Sequence, residues 1–545
     1  MSERRAALVI AAFAIVLGIV ARIDSLDRKL LWGDEAYSLL RISGHTDAQL
    51  YALFDGRMHR AAEVFALQRV TPERGVGATL ATIRREEPQR GPLYYMLARL
   101  WIGVAGNGTA AVRSFSVALG IVGIGLAFGF GRGAWGATGG ALLAALVALA
   151  PMQIRFSQQV REYVLVADVT LLSGWLALRA AEVPNARRWG AYAACAAAGL
   201  YTNVEFAFVI VAHVLAIAVC ARAPHGAHRV ARVSRRAAVC AAVAAVAATV
   251  TYAPWALAVA HATSRGSRGV AWAATSYGLR PTTLKWVFNI GANFFDSEYA
   301  RPSLALALVP LGGFAAFALF RAFAARGAAP SSKTSRSPAT ASSLGTVLAW
   351  ATALSAAVPL VALDVVRHAH FALVARYLMP TWIGVLALAA AAVAAALRSP
   401  DARLRRTGCL AFAYACACGT ASVALDRSHV EWWDDNEHLS EIAVAAAVRA
   451  SPAPIVAEGG AATDVLVLAR YLDPAQPLVL TSDAAALTPE LGAVYLFVPS
   501  PSLRRAYAAR APRNVSPALD LAIPDLRGAT SDPLVASNAL WSVAR

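Results

Sequence analysis

Two adjacent carboxylates, Asp34 and Glu35, follow the first long apolar segment of the chain. Paired carboxylates are a type of group that general acid–base chemistry uses. The same residues could instead begin a helix, with Asp34 as its cap and Glu35 favouring the helix dipole. Trp32 and Tyr37 beside them would then belong to the aromatic belt of a membrane interface. The local pattern leaves both interpretations open.

Three arginines stand beside other apolar segments: Arg90, Arg161 and Arg376. Arg90 and Arg376 could extend their charges toward lipid headgroups. Arg161 and the neighbouring Glu162 could be a solvated helix start. Arg376 needs a further explanation, because the topology inferred below places it outside, where the charge rule predicts few arginines.

Other polar residues are less informative. His213 and Asp168 lie inside apolar segments, where a histidine is more often packed against its neighbours than bound to a ligand. Asp168 could face an outer vestibule or pair within a helix bundle. The acidic run Glu431–Glu437 lacks specific metal-ligand spacing, and we interpret it as a junction between two parts of the chain. All six cysteines lie in apolar segments, so they indicate neither a disulfide framework nor a zinc site.

Membrane helices must position these residues. The chain is 58% hydrophobic and 15% charged, against about 25% charged residues in soluble domains, which excludes an ordinary cytosolic enzyme. A helix needs about 20 apolar residues to cross a bilayer. The first such segment lacks a cleavage site and predicts an uncleaved anchor with a cytoplasmic amino end. In all, the sequence predicts eleven spans: 6–23, 110–131, 137–153, 163–181, 189–203, 204–221, 237–259, 302–325, 344–363, 377–397 and 407–425.

The apolar segment Gly91–Gly106 determines the sidedness of everything after it. It is short for a span and carries Arg99 at its centre, which costs about 3 kcal/mol or more in hydrocarbon. If it is an outer-surface amphipathic helix, almost all arginine-rich loops become cytoplasmic, as the positive-inside rule requires. The net charge of +17 then sets orientation and implies no nucleic-acid partner.

The predicted fold class is an α-helical polytopic membrane protein with a small C-terminal α/β extracytoplasmic domain. Residues 1–425 form the transmembrane domain, with a large first outer loop at 24–109. In the soluble domain at 426–545, apolar runs of strand length at 454–457, 478–481 and 493–498 alternate with helical patterns at 461–472 and 502–510.

Four motifs in order resemble the GT-C superfamily of glycosyltransferases that use polyprenyl-phosphate sugars. The nearest resemblance is to the bacterial branch related to lipid A aminoarabinose transferases, protein O-mannosyltransferases and rhizobial lipopolysaccharide-core transferases. It covers about residues 6–400. The motifs are Trp32-Gly33-Asp34-Glu35-Ala36-Tyr37, Gly91-Pro92-Leu93-Tyr94-Tyr95, Ser157-Gln158-x-x-Arg161-x-Tyr163 and Ala375-Arg376-Tyr377-Leu378-x-Pro380. Where this chain has Arg90-Gly91-Pro92-Leu93, such enzymes often have His-Pro-Pro-Leu or Lys-Pro-Pro-Leu, so the local turn is expected to differ.

The resemblance implies roles for these residues. Asp34 matches the family's base position, and Arg90, Arg161 and Arg376 are candidates to bind the donor phosphate, whose oxygens suit arginine's planar fork of donors. Glu35 and Glu162 would orient the acceptor or help to hold a divalent cation, Mg²⁺ or Mn²⁺, on which several relatives do not depend. Further substrate-binding residues would be Tyr37, Tyr94, Tyr95, Gln158, Tyr163 and Tyr377.

The predicted activity is inverting transfer of a sugar from a polyprenyl-phosphate donor to an acceptor hydroxyl of an envelope glycan, lipid or protein. The enzyme would lie in a bacterial inner membrane with a periplasmic site and C-terminal domain. One alternative is a lipid transporter or flippase, which typically shows interrupted helices in two related halves and ionisable residues near the midplane. The other is a non-catalytic relative.

Overall fold

The computed structural model describes residues 2–222, 233–264, 286, 289–295, 312, 339–429, 439–449, 451, 453–483, 494–509, 515–517 and 540–543. The chain divides into two compact units. The membrane unit comprises Met1–Asp24, Glu87–Tyr94 and Arg113–Ser428. The sheet unit comprises Ser25–Glu86, Tyr95–Val112 and His429–Arg545. The segment predicted as the first outer loop and the C-terminal region thus share one unit.

The described chain is mainly helical. In chain order the α-helices are α1 (Glu3–Ile23), α2 (Gly33–Ile42), α3 (Asp47–Tyr51), α4 (Ala61–Ala66), α5 (Val76–Glu86), α6 (Pro92–Ala105), α7 (Thr109–Leu149), α8 (Pro151–Ser157), α9 (Tyr163–Glu182), α10 (Ala186–Thr202), α11 (Phe206–Arg222), α12 (Arg235–Ser264), α13 (Ala339–Ser355), α14 (Ala357–Arg367), α15 (Met379–Leu397), α16 (Ala402–Ser428), α17 (Leu439–Val448), α18 (Ala462–Leu468) and α19 (Pro501–Ala509). Two 3-10 turns, Phe371–Leu373 and Ala375–Leu378, precede α15.

Seven helices of the described chain are long and apolar enough to cross a bilayer. They are Glu3–Ile23, Thr109–Leu149, Tyr163–Glu182, Arg235–Ala262, Leu344–Arg367, Ala375–Leu397 and Ala402–Ser428. Most predicted spans coincide with helices, although α10 and α11, with 17 residues each, are shorter than these seven. The predicted span 302–325 lies outside the described residues, apart from Gly312. The count of eleven spans therefore stays a prediction.

Helix α7 contains a reversal that the sequence predicted as a loop between two spans. Trp135 and Gly136 have non-helical dihedral angles, and Gly136 has a φ of 77° that glycine adopts without steric cost. The two arms on either side pack closely. A Cβ added to Gly140 would lie 2.7 Å from the carbonyl oxygen of Phe128. The 41 residues thus form two helical arms that lie against each other.

The sheet unit contains a six-stranded sheet in the order β1-β3-β2-β4-β6-β5. Its strands are β1 (Asp55–Arg60), β2 (Ile455–Glu458), β3 (Pro477–Thr481), β4 (Val494–Phe497), β5 (Val515–Pro517) and β6 (Leu540–Val543). The central strand β2 pairs parallel with β3 and β4, while β1 pairs antiparallel with β3 at the edge. The predicted strands at 454–457, 478–481 and 493–498 are confirmed as β2, β3 and β4. Strand β1, from the first outer loop, was not predicted.

Helix α6 corresponds to the segment predicted as an outer-surface helix. Its Arg99 is buried, and its guanidinium donates to the carbonyl oxygens of Ile42 (2.8 Å) and Thr71 (3.1 Å) and to the hydroxyl of Thr79 (3.4 Å). Protein acceptors therefore satisfy this charge, as a buried guanidinium requires. These contacts lie within the sheet unit, which agrees with a helix that packs on the outer loop.

Candidate functional site

The short turn between α10 and α11 brings distant parts of the membrane unit together. Asn203 in this turn forms an isolated antiparallel bridge with Arg90. The residue after Arg90 is Gly91, and a Cβ added there would lie 2.0 Å from the carbonyl oxygen of Tyr201. A larger residue would separate the two backbones. The close approach explains locally why this chain has glycine where the resembling enzymes often have proline.

The segment that carries Arg90 is held from both sides. The Arg90 guanidinium forms an ion pair with Glu87, three residues earlier. The indole of Trp255 in α12 donates to the carbonyl oxygen of Pro88 at 2.8 Å. Tyr94, one turn into α6, is fully buried and shares a 2.6 Å hydrogen bond with Ser116. The burial of Tyr94 gives it a packing role in the structure.

Arg161 and Glu162 are almost completely buried, with exposed fractions of 1% and 2%. The alternative of a solvated helix start is therefore wrong. Arg161 donates to the Tyr163 hydroxyl at 2.9 Å, and its Nε lies 3.8 Å from a Glu162 carboxylate oxygen. The side-chain amide of Gln158 donates to backbone carbonyls at the end of α1, those of Ala21, Arg22 and Asp24. Gln158 thus ties this loop to α1.

Glu205 is a carboxylate that sequence analysis did not single out. Its backbone N–H donates to the Asn203 side chain at 2.8 Å, which shapes the turn. Desolvation and the charge of Glu162 raise the pKa of Glu205, and Arg376 opposes them, so that the pKa is about 8. Part of the side chain remains exposed. A protonated Glu205 can donate a hydrogen bond at neutral pH.

The residues before α15 form a braced segment around Arg376. The Asp364 carboxylate accepts hydrogen bonds from the backbone N–H groups of Phe371 and Ala372, both at 2.7 Å. The Asn289 side chain donates to the Leu373 carbonyl at 2.7 Å. The Arg376 guanidinium itself lies over the Tyr377 ring, 5.6 Å from its centroid. These contacts restrict the backbone that carries Arg376.

Asp34 and Glu35 lie in the first turn of α2, in the sheet unit. Asp34 is partly exposed, whereas Glu35 is fully buried and accepts from the Trp32 N–H at 3.5 Å. The N-cap of α2 is Trp32 and not Asp34, the cap that the alternative interpretation expected, whereas Glu35 lies in the first turn and accepts a hydrogen bond from the cap backbone. Burial is the main cause of a raised Tyr37 pKa of about 12. Tyr95, also in this unit, is buried.

The structure thus separates the predicted residues into two sets. In the membrane unit, the segments of Arg90, of Arg161 with Glu162, and of Arg376 are connected through the turn at Asn203–Glu205. Asp34, Glu35 and two of the tyrosines, Tyr37 and Tyr95, belong to the sheet unit. Glu205 lies in the turn before α11, which begins at Phe206, at the start of the predicted span 204–221.

The remaining candidates have ordinary environments or lie outside the described residues. His213 is buried between the hydroxyls of Tyr192 (3.4 Å) and Thr352 (3.3 Å), so its packing interpretation is confirmed. Asp168 is also buried. The acidic run Glu431–Glu437 lies outside the described residues. Within the described ranges, no three His, Cys, Asp or Glu side chains form a group suited to a metal ion.

The comparisons with known proteins agree with this architecture. Residues 88–257 match the family model described as dolichyl-phosphate-mannose-protein mannosyltransferase. No curated protein matches the chain by sequence. ArnT from Cupriavidus metallidurans bound to undecaprenyl phosphate is similar with a TM-score of 0.52 and 13% identity, over 98% of this chain and 97% of that one.

Two further structures are similar. The apo state of the same ArnT has a TM-score of 0.50 and 15% identity, over 92% of this chain and 95% of that one. The oligosaccharyltransferase AglB from Archaeoglobus fulgidus, in complex with an inhibitory peptide and a dolichol-phosphate, has a TM-score of 0.48 and 12% identity, over 90% of this chain and 69% of that one. The resemblance deduced from the four motifs is confirmed: the chain has the ArnT-like fold of GT-C glycosyltransferases, and its residues 88–257 match the mannosyltransferase family model.

Proposed function

We propose that this chain is an inverting glycosyltransferase that moves a sugar from a polyprenyl-phosphate donor to an acceptor hydroxyl. The acceptor belongs to an envelope glycan, a lipid or a protein. The enzyme lies in a bacterial inner membrane with its amino terminus in the cytoplasm, and the reaction takes place on the periplasmic side. The observation that carries the proposal is the meeting of three motif segments at the Asn203–Glu205 turn.

The membrane unit supplies the groups for the donor phosphate. Arg90, Arg161 and Arg376 are balanced in part by two nearby carboxylates, Glu87 and Glu162. A pKa of about 8 keeps Glu205 mostly protonated at neutral pH. Each of these arginines presents N–H donors that suit the oxygens of a phosphate. A polyprenyl-phosphate ligand is also supported by the similar ArnT structure, which is bound to undecaprenyl phosphate.

The sheet unit supplies the base. In the proposed step the acceptor oxygen forms a bond to the anomeric carbon of the sugar, and the bond from that carbon to the phosphate oxygen breaks. The electron pair leaves with the polyprenyl phosphate, and the acceptor proton passes to the Asp34 carboxylate. Positive charge stabilises the departing phosphate without protonating it. Attack from the face opposite the phosphate inverts the anomeric configuration.

The proposed step is balanced without a divalent cation, because the arginines stabilise the departing phosphate. Glu205 is near the charge of Arg376, which competes with a cation, and Glu35 accepts a hydrogen bond from the N-cap backbone of α2. In the part of the chain that the structure describes, the donor set does not fit a metal site of three or more protein ligands. The described residues therefore add no support to the option of Mg²⁺ or Mn²⁺ that the resemblance left open.

The proposal can be tested by mass spectrometry of lipid-linked sugars and envelope glycans in a deletion strain. We expect one polyprenyl-phosphate sugar to accumulate and one envelope sugar to disappear. The unchanged gene should restore both, and a gene encoding Asp34→Asn should restore neither. Unaltered lipid-linked and envelope sugars in the deletion strain would contradict the proposal. Full restoration by Asp34→Asn would favour a transporter or a non-catalytic relative.

A further inference from the structure

Helix α2, which carries Asp34, is held by the C-terminal region within the sheet unit. The backbone N–H of Leu31, three residues before Asp34, donates to the Tyr471 hydroxyl at 2.8 Å. Tyr37, three residues after Asp34, has the Thr463 side chain as a hydrogen-bonding partner. Asp34 thus lies between two polar contacts to one short part of the chain, α18 and the residues that follow it.

Packing reinforces these polar contacts. Helices α2 and α18 lie against each other, and the α2 side chains Leu39 and Leu40 are buried, as are Val465 and Leu466 of α18. Burying an aliphatic side chain contributes about 1.5–3 kcal/mol. Apolar packing therefore stabilises the contact between α2 and α18. The hydroxyls of Tyr471 and Thr463 define the position of α2 along it.

The rest of the outer loop is fastened to the same C-terminal segment. The buried Gln68 side chain donates to the Leu466 carbonyl at 2.7 Å. Arg470 donates to the Asn107 carbonyl at 3.2 Å and lies over the Phe65 ring, 5.0 Å from its centroid. Strand β1 completes the connection through its pairing with β3. An outer loop of more than 60 residues, Ser25–Glu86, thus acquires a defined conformation from residues far away in the sequence.

We propose that the segment Ala462–Tyr471 positions Asp34 for proton abstraction, with Tyr471 and Thr463 as positioning residues. The inference rests on the proposed function, because it assumes that Asp34 is the base. It gives the C-terminal region a role in catalysis that does not require it to touch the donor. A displacement of about 1 Å in a catalytic group can reduce the rate about 100-fold. Loss of the Tyr471 and Thr463 hydroxyls, which contact Leu31 and Tyr37, can therefore lower the rate of transfer.

The kinetic test uses the full-length protein and the polyprenyl-phosphate sugar that accumulates in the deletion strain. Tyr471→Phe should lower kcat about 5- to 10-fold, and its combination with Thr463→Val about 30- to 100-fold. The KM for the donor should change less than about twofold, because these residues do not bind the phosphate. In the Tyr471→Phe background, Thr463→Ser keeps the hydroxyl and should retain most of the kcat that Thr463→Val loses. Equal kcat for the unchanged chain, the Tyr471→Phe variant and the two double variants would overturn the inference.

A matched control separates positioning from general damage. Tyr495→Phe also removes a tyrosine hydroxyl, but from β4, which lies two strands away from β3 in the sheet. It should leave kcat unchanged. A loss of kcat in Tyr495→Phe as large as that in Tyr471→Phe would show that any weakening of the sheet unit reduces the rate, and would overturn the inference.

Hydrogen exchange tests the docking of α2 without an assay of transfer. Backbone amides of residues 33–42 should exchange about tenfold faster in the Tyr471→Phe/Thr463→Val protein than in the unchanged chain. Unchanged exchange would overturn the inference even if kcat fell. If the unchanged chain transfers no sugar, the proposed function fails and Asp34 needs no positioning. The exchange result then still decides whether these hydroxyls hold α2.

Discussion

The two units of the chain hold their candidate residues in different ways. In the membrane unit, the candidate arginines interact with carboxylates. Arg90 pairs with Glu87 and Arg161 with Glu162, each within one segment, and the charge of Arg376 acts on Glu205 from a different segment. In the sheet unit, the part of the chain around Asp34 contacts neutral hydroxyls and apolar side chains, and charged contacts of α2 lie at its far end, at Arg41 and Ile42. The difference suits the two tasks. Phosphate binding needs an excess of charge, whereas a base needs a defined position and an ionised carboxylate.

Substitutions in the two units are expected to have different kinetic effects. A charge removed from the membrane unit alters the balance among several neighbours, because their electrostatic energies are coupled at low dielectric. A substitution beside α2 changes geometry and leaves that balance intact. Variants of the membrane unit should therefore act mainly on the KM for the donor, and variants around α2 mainly on kcat.

The largest effect is expected for Asp34→Asn. The amide cannot accept the acceptor's proton, so kcat should fall about 1,000-fold or more, while the protein should still reach the membrane in normal amount. Single-turnover transfer from the accumulated polyprenyl-phosphate sugar measures the effect. The isosteric change preserves packing, so turnover within tenfold of the unchanged chain would remove Asp34 from its role as base.

The next largest effect is expected for Arg376→Ala. Hydrogen bonds to charged groups contribute about 1.5–3 kcal/mol, so the KM for the donor should rise about 10- to 100-fold. Arg367→Ala is a matched control, because Arg367 is an exposed arginine at the end of α14, nine residues earlier. A similar KM for both variants would show that Arg376 only extends toward headgroups.

A smaller effect concerns Glu205 and pH. The protonated form is retained below its pKa of about 8. Above that value the added negative charge beside Arg376 should raise the donor KM several-fold by about pH 9. Glu205→Gln stays neutral and should remove this alkaline rise. Steady-state kinetics across this range test the effect, and the same alkaline rise in Glu205→Gln would assign it to another group.

The smallest expected effect lies in the sheet unit, at the edge strand β1. Both ring nitrogens of His59 lie 3.0 Å from a carboxylate oxygen, one of Glu63 and one of Asp55. Burial lowers the His59 pKa, but the hydrogen bonds and charges of these carboxylates raise it more, so that the net shift is upward. Protonated His59 can donate to both.

Because the His59 pKa is raised on folding, protonated His59 stabilises the folded chain. This contribution is complete below about pH 6.5 and is lost as the pH rises through the folded-state pKa. The melting temperature should therefore fall by about 1–3 °C more between about pH 6 and pH 9 in the unchanged chain than in His59→Asn. Thermal unfolding in detergent measures this difference. Identical pH dependence in both proteins would show that the His59 contacts do not stabilise β1.

Local sequence patterns predicted the parts of the fold that depend on local physics. Apolar runs of sufficient length indicated the helices, and short apolar runs indicated β2, β3 and β4. Strand β1 reads Asp-Gly-Arg-Met-His-Arg at Asp55–Arg60, which has none of the apolar alternation of a half-buried strand. It becomes a strand by pairing with β3, more than 400 residues away in the chain. No local pattern contains that pairing.

The candidate site follows the same division. The motif arginines and Asp34 could be chosen as candidates because their residue types and order resemble the motifs of a known superfamily. Tyr471 and Thr463 carry no such pattern, and their contacts with Leu31 and Tyr37 depend on tertiary packing. Glu205 could have been noticed as a charge at the start of a predicted span, but its proximity to Glu162 and Arg376 depends on tertiary packing.

The central claim is that the membrane unit recognises the phosphate of a polyprenyl-phosphate lipid. Purified protein in nanodiscs can be titrated with undecaprenyl phosphate and, separately, with undecaprenol, which lacks the phosphate. The account predicts that the unchanged chain binds the phosphate lipid about 100-fold more tightly than the alcohol, and that Arg90→Ala/Arg376→Ala loses most of this preference. Equal affinity of the unchanged chain for the two lipids, or an undiminished preference in the double variant, would contradict it.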